Sequence, residues 1–412
     1  TFALLAYFLA RLGRGAGENG ASPQLSTARR LLPVLATLPM VALRALMAPS
    51  SGARIFVHHK PAGIAVLVTP WNFPAAMATR KIGPALAAGC PVILKPASET
   101  PLTMLALMPI LEEAGVPAGV VNVIPSRRSG PVVDTMLHDP RVRVVSFTGS
   151  TGVGARIMEA GAATMKRQLL ELGGKGANIV FEDANVTAAI NGSAWAIFHN
   201  QGQACIAGSR LILHSAIADE FIERFIGLAR SIRLGNPLLP DTEMGPLTSA
   251  MHRDRVLNYV KVAKDEGAEI LTGGQRPQGA AFERGFFVEP TVVRVRSHTD
   301  RVCQEEVFGP FVTVSTFDSD DEALEIANST DYALGGGLWT QNLARAHKIA
   351  GELRSGMVWV NSYKRVHPGS PFGGFGLSGY GREMGFEAMH DYTEAKSVWV
   401  NVDAQILPHF KR

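Results

Sequence analysis

The 412-residue chain is poor in cysteine, with only three. Cys90, Cys205 and Cys303 lie far apart and form no CxxC or Cys/His pattern, so neither a disulfide framework nor a zinc site is expected, and no metal is assigned. Charge is sparse too. Asp, Glu, Lys and Arg make up 18% of the residues, and the 40 basic and 36 acidic ones are scattered rather than blocked, leaving a net +4. A nucleic-acid partner is not expected from that balance. Long apolar runs are also missing. "TFALLAYFLA" (1–10) is too short to span a bilayer, and the stretch over 31–49 is interrupted by Pro33, Pro39 and Arg44. A membrane anchor is therefore the minority reading, and a reducing, cytoplasmic setting fits best. The chain opens on Thr1 rather than Met, and residues 1–53 read as a divergent or incomplete segment.

Apolar residues are plentiful, at 46% of the chain, enough for more than one core. From residue 61 onward short β-branched runs alternate with helical stretches: "GIAVLVTP" then "AMATRKIGPALAAG", "PVILKP" then "TMLALMPILEEAG", "GVVNVIP", and "RVRVVSFTGS" then "GARIMEAGAATM". A second series follows Cys205, with "SRLILHS" before "AIADEFIERFIGLARSI" and "FVTVSTF" before "DEALEIANST". This alternation predicts two successive α/β units, each a parallel sheet covered by helices. The stretch "DYTEAKSVWVNV" reads as an edge strand whose pattern allows pairing within the chain or across a subunit boundary.

Two local segments point to chemistry. "VRVVSFTGSTGVGARIM" is a strand, a glycine turn and a helix start, where unpaired amides and the helix dipole suit a pyrophosphate at Gly149, Ser150 and Thr151. Gly149, Thr151 and Gly154 match GxGxxG imperfectly, and an ordinary strand-to-helix turn fits equally well. In "HNQGQACIAGS" (199–209), Cys205 sits among Asn200, Gln201, Gly202 and Gln203, a setting suited to a turn. Such a cysteine either packs or reacts.

Seven segments in order then carry a resemblance: "TPWNFP" (69–74), "ILKPASETP" (93–101), "SFTGSTGVG" (146–154), "LELGGKG" (170–176), "NQGQACIAGSR" (200–210), "EEVFGP" (305–310) and "SPFGGFGLSGYGRE" (370–383). Over roughly 54–403 the chain resembles the NAD(P)-dependent aldehyde dehydrogenases. The resemblance implies a Rossmann-type cofactor domain over 54–173, an α/β catalytic domain over 174–380, and a C-terminal segment over 381–412. Strands near 54–61 and 392–402 would form a small β oligomerisation element of a homodimer or homotetramer.

The resemblance makes Cys205 the nucleophile and Glu171, 34 residues before it, the base that activates water; Asn72 joins the Cys205 N–H in stabilising the oxyanion. A carboxylate at Glu171 implies a free carboxylic acid as product. Cys90 and Cys303 lack that setting and are expected to pack. Cofactor contacts are implied for Trp71, Lys95, Ser98, Gly149, Ser150, Thr151, Glu306 and Phe308. Ser98 stands where NAD-committed branches often carry glutamate, and the glutamate falls one place later at Glu99, so Lys95 and Ser98 are expected to accept a 2′-phosphate and NADP use, alongside NAD, is predicted.

The substrate is a small-molecule aldehyde, and "PWNFPAAMATRKIGPALAAGC" is most similar to the succinate-semialdehyde branch. Arg80 matches an arginine that pairs there with a distal carboxylate, while His199 replaces a second arginine. Trp195, Phe198 and Phe372 offer an alternative slot for an aromatic or longer aliphatic aldehyde. A member of the fold that has lost its chemistry and serves in binding or structure is a further alternative.

Overall fold

In a computed structural model of the chain, residues 44–46 and 53–402 are described. The expectations for residues 1–43 and 47–52, including the membrane-anchor reading, lie outside them. No helix among the described residues is long and apolar enough to cross a membrane.

The described residues form two compact units. One takes the residues up to Phe147, Ile157–Leu169 and those from Glu383; the other takes Thr148–Arg156 and Leu170–Arg382. In the first, the strands Arg167–Glu171, Val142–Thr148, Ile64–Val68, Val92–Lys95 and Val121–Val123 follow one another across the sheet in that order. Ile64–Val68 pairs in parallel with both Val92–Lys95 and Val142–Thr148. This is the doubly wound order, and its switch lies beside Ile64–Val68, the strand that runs into Trp71 and Asn72. "IAVLV" is apolar throughout because a parallel strand covered on both faces has no solvent side. Ala65, Leu67, Val92, Leu94 and Val144 pack there against Met104, Leu107 and Leu111 of the helix Pro101–Glu113.

The second unit contains a seven-stranded sheet in the order Glu269–Thr272, Thr291–Arg294, Phe311–Phe317, Arg210–His214, Ala177–Val180, Gly335–Trp339, Met357–Val360. Only its first pair is antiparallel. Alternation along "RLILH" divides the core. Leu211 and Leu213 face the helices Val186–Phe198 and Ser215–Ser231, while Ile212 faces Asp320–Asn328 and Leu343–Glu352. Asn185, Ser249, Ser319 and Asn342 cap four of the unit's helices by accepting a backbone N–H.

The predicted edge strand pairs within the chain: Thr393–Asn401 runs antiparallel to Ala53–Pro61 through nine residue pairs. Arg44–Leu46 flanks Ala53–Pro61 on its other side, so Thr393–Asn401 is an edge of that ribbon and carries an exposed Trp399.

Candidate active site

Cys205 belongs to the second unit. The helix Val186–Phe198 ends at His199, and Asn200 and Gln201 then adopt left-handed backbone angles, φ 55° and 56°. Asn tolerates that region better than most residues. The chain thereby leaves the helix and enters the turn that carries Cys205, a free, half-buried thiol. Cys90 and Cys303 are buried, and burial raises both thiols. The Cys90 thiol donates to the Tyr392 carbonyl (3.2 Å), in keeping with a packing role.

Glu171 ends its strand and is buried, and "LGGKG" runs from it directly past the nucleophile. A Cβ on Gly174 would stand 2.2 Å from the Cys205 carbonyl oxygen, so only glycine permits this approach. Opposite, a Cβ on Gly373 would lie 2.7 Å from Glu171 Oε1, which brings the "SPFGG" loop against the carboxylate. The Gly174 N–H also donates to Glu306 Oε1 at 3.0 Å. Burial pushes the Glu306 carboxyl up to about 7, and that N–H offsets only part of the effect. Two residues on, the Phe308 carbonyl accepts from His252 Nε2 at 2.7 Å. Cys205, Glu171 and Glu306 are thus all held at one short stretch of glycine backbone. At the glycine turn, Thr151 opens the helix Thr151–Ala162 and donates through its hydroxyl to the Leu377 carbonyl (3.0 Å), while the Gly149 N–H donates to the Glu171 carbonyl (3.0 Å).

Trp71, Asn72, Arg80, Lys95 and Ser98 lie in the first unit. Trp71 and Asn72 are half-buried in the bend between Ile64–Val68 and the helix Pro74–Ala87. Lys95 is buried at the end of its strand and donates to the Ser129 hydroxyl at the first turn of the helix Ser129–His138. Burial lowers its ammonium, while the Glu99 charge pulls it upward. The Ser98 hydroxyl donates to Glu99 Oε2 at 2.9 Å, so the neighbouring carboxylate turns toward Ser98 and lies within electrostatic reach of Lys95.

Arg80 already carries an ion pair. With Lys81 it pairs with the buried Glu383, so a substrate carboxylate would have to compete with an ion pair already formed. Burial alone would raise Glu383, but the two cations outweigh it and hold the carboxyl low. Lys81 also donates to Ser146 Oγ at 2.8 Å. Of the aromatic alternatives, Phe198 is core, stacked on Phe225 at 5.9 Å, and Phe372 is buried. Trp195 is exposed and lies over the His199 ring with centroids 4.0 Å apart.

Two residues at this site escaped the sequence reading. Lys175, four residues after Glu171, is buried with its ammonium lowered by burial to about 8. Lys364 lies in "NSYKRVHPGS", whose charge and turn residues look like an ordinary surface loop. Its Nζ is nonetheless buried and has no hydrogen-bond partner among the described residues. Burial pushes this ammonium down to about 7 against the upward pull of Cys205.

The model of the aldehyde dehydrogenase family matches residues 21–398. The chain belongs to the aldehyde dehydrogenase family. Among relatives, DhaS of Bacillus subtilis, named as an aldehyde dehydrogenase, is 45% identical over 86% of this chain and 71% of its own length. The betaine aldehyde dehydrogenase of the same organism is 42% identical over the same shares. Among solved structures, PnpE from Pseudomonas sp. WBC-3 matches with a TM-score of 0.87 at 60% identity, over 90% of this chain and 76% of that one. The aldehyde dehydrogenase fold expected from the motifs is therefore present, whereas none of these names points to the succinate-semialdehyde branch.

Proposed function

We propose that this aldehyde dehydrogenase family member oxidises an aldehyde to the free carboxylic acid through a covalent bond to Cys205. The observation that carries the reading is the approach of the Glu171–Gly174 backbone to Cys205, which sets a buried carboxylate three residues from the glycine touching the nucleophile's carbonyl. The Cys205 thiolate adds to the aldehyde carbon, and the new alkoxide receives a hydrogen bond from the Cys205 N–H, with the Asn72 amide assigned as a second donor by the resemblance alone. The chemistry a nicotinamide dinucleotide would supply when bound is acceptance of the hydride from the carbon attached to Cys205, which would leave a thioester there. Glu171 then takes a proton from water as that water attacks the thioester carbonyl; the C–S bond breaks and the acid departs.

The residues suit such a cofactor. Lys95 is a buried cation beside Ser129 for the adenosine ribose, and the amides of Ser150 and Thr151 at a helix start suit the pyrophosphate, with Gly149 leaving room for its approach. Glu306, a half-buried carboxylate with one N–H donor, suits the nicotinamide ribose, with the aromatic Phe308 two residues on; Trp71 is a further contact on the resemblance alone. We favour NAD over NADP because Glu99 stands beside Ser98, where it would repel a 2′-phosphate. A structure of PnpE in complex with nicotinamide adenine dinucleotide, 58% identical with a TM-score of 0.88 over 95% of this chain and 79% of that one, agrees with this choice. A homo-oligomer built through the Thr393–Asn401 edge, and a cytoplasmic location, complete the reading.

The test is reduction of NAD by a panel of aldehydes. Cys205→Ala is expected to lower turnover by about a thousandfold or more, and Glu171→Gln to retain one burst of NADH while losing steady turnover. NADH formation by Cys205→Ala at the parental rate would sink the proposal, and a kcat/KM favouring NADP would sink the cofactor preference.

A further inference from the structure

Lys364 is a cation that the reaction as described does not use. It follows Tyr363, which is buried and donates through its hydroxyl to the Ala177 carbonyl at 3.3 Å. The Tyr363 ring lies against Gly208, where a Cβ would come within 3.2 Å of its Cζ. Tyr363 therefore fixes the loop to the turn that leaves Cys205. Lys364 itself adopts φ 56°, a left-handed conformation rare for a lysine, so the surrounding structure holds it there. Its Nζ is buried and without a hydrogen-bond partner among the described residues, so the thiol of Cys205, although within electrostatic reach, is not bonded to it. His199 is its other titratable neighbour, lowered first by its own burial and then by the Lys364 charge.

A buried ammonium with no acceptor carries a desolvation cost that an arriving anion can offset. A cation at that position also repels another cation. Building on the proposed aldehyde oxidation, we infer that Lys364 is a specificity-determining residue that receives a carboxylate on the substrate, so that the preferred aldehydes are oxo-acids with a short carbon chain between the two groups. Arg80 does not meet this need, since Glu383 already engages it. A quaternary-ammonium aldehyde of the kind named by the Bacillus subtilis relative is disfavoured by the same charge.

The pH dependence follows from the direction of the shift. With the Lys364 ammonium near 7 in the free enzyme, the charged form that binds an anion is lost as pH rises above that value. Burial and then the Lys364 charge also disfavour the His199 imidazolium, so any charge it carries is lost in the same direction as pH rises. Both substrates are attacked by the same Cys205, so the ratio reports what the distal group adds. The measurement is therefore kcat/KM for 4-oxobutanoate divided by that for its neutral methyl ester, from pH 6.5 to 9, with betaine aldehyde as the cationic probe. The expected ratio exceeds ten at pH 6.5 and declines toward pH 9, with betaine aldehyde slowest. Lys364→Met and Lys364→Gln should abolish the preference and flatten its pH profile. A ratio near one in the parent overturns the inference, as does a preference that survives either variant. Should the ester be oxidised without any preference for the acid, only this inference falls; should no aldehyde reduce the cofactor, the catalytic reading falls with it.

Discussion

Each unit buries charge, and the two do so differently. In the first, Arg80 and Lys81 share Glu383, and Lys81 also donates to Ser146: every charge in the group has an opposite charge or a hydroxyl against it. In the second, Arg210 is equally buried but gives its guanidinium N–H groups to the carbonyls of Lys175, Ile326 and Ala327 at 2.9, 2.8 and 2.6 Å. Lys175 and Lys364 have no such partners among the described residues. Burial of a charge is thus no mark of function by itself. The satisfied group holds a helix to a distant segment of the same unit, whereas the unsatisfied lysines flank the turns of Glu171 and Cys205.

The sharpest way to break this contrast is to remove the acceptor from the satisfied group. Glu383→Leu leaves Arg80 and Lys81 buried with no counter-charge, and a loss of about 3–5 kcal/mol in urea unfolding is expected. A loss below about 1 kcal/mol would mean that solvent reaches the two cations.

Lys175→Met should do the opposite and stabilise the protein. The Lys175 ammonium is lowered from 10.5 to about 8, so the unfolded chain binds more protons between those values and stability rises with pH across that window. The gain from Met is therefore greatest below pH 8, about 1–3 kcal/mol, and vanishes near pH 10.5. Unfolding midpoints at pH 6.5 and 10 would show it, and an equal change at both would refute it.

Glu306 should give the smallest effect. Its carboxyl is raised from 4.5 to about 7, so the stability it contributes is complete below about 4.5 and is lost as pH climbs through 7. Glu306→Gln keeps an acceptor for the Gly174 N–H and removes the titration. The variant is expected to be more stable than the parent by about 1 kcal/mol at pH 8 and no more stable at pH 4.5. NAD affinity, measured by fluorescence quenching, should fall if this carboxylate serves the ribose.

The parts of the site that could be read from the sequence are those whose chemistry is local. Cys205 sits in a polar turn, and its neighbours in sequence remain its neighbours in space. Gly174 follows Glu171 so closely that placing one nearly places the other. Arg80 is the opposite case: its spacing from Asn72 suggests a substrate contact, while the ion pair it forms is with Glu383, about three hundred residues further along. The glutamate one place after Ser98 is visible in the sequence, but the bond between the two is not. Lys364 was passed over because a lysine between tyrosine and arginine, before a proline turn, looks solvated until its Nζ is found buried.

By itself the sequence determined the order of strands and helices, through apolar periodicity and turn glycines, and which thiol and carboxylate are candidates for chemistry, since those depend on residues a few positions apart. Only the tertiary structure decided which charges are neutralised. An ammonium or guanidinium is the same group wherever it stands in the chain, and its free energy depends on the water it loses and on the acceptors that distant segments bring against it.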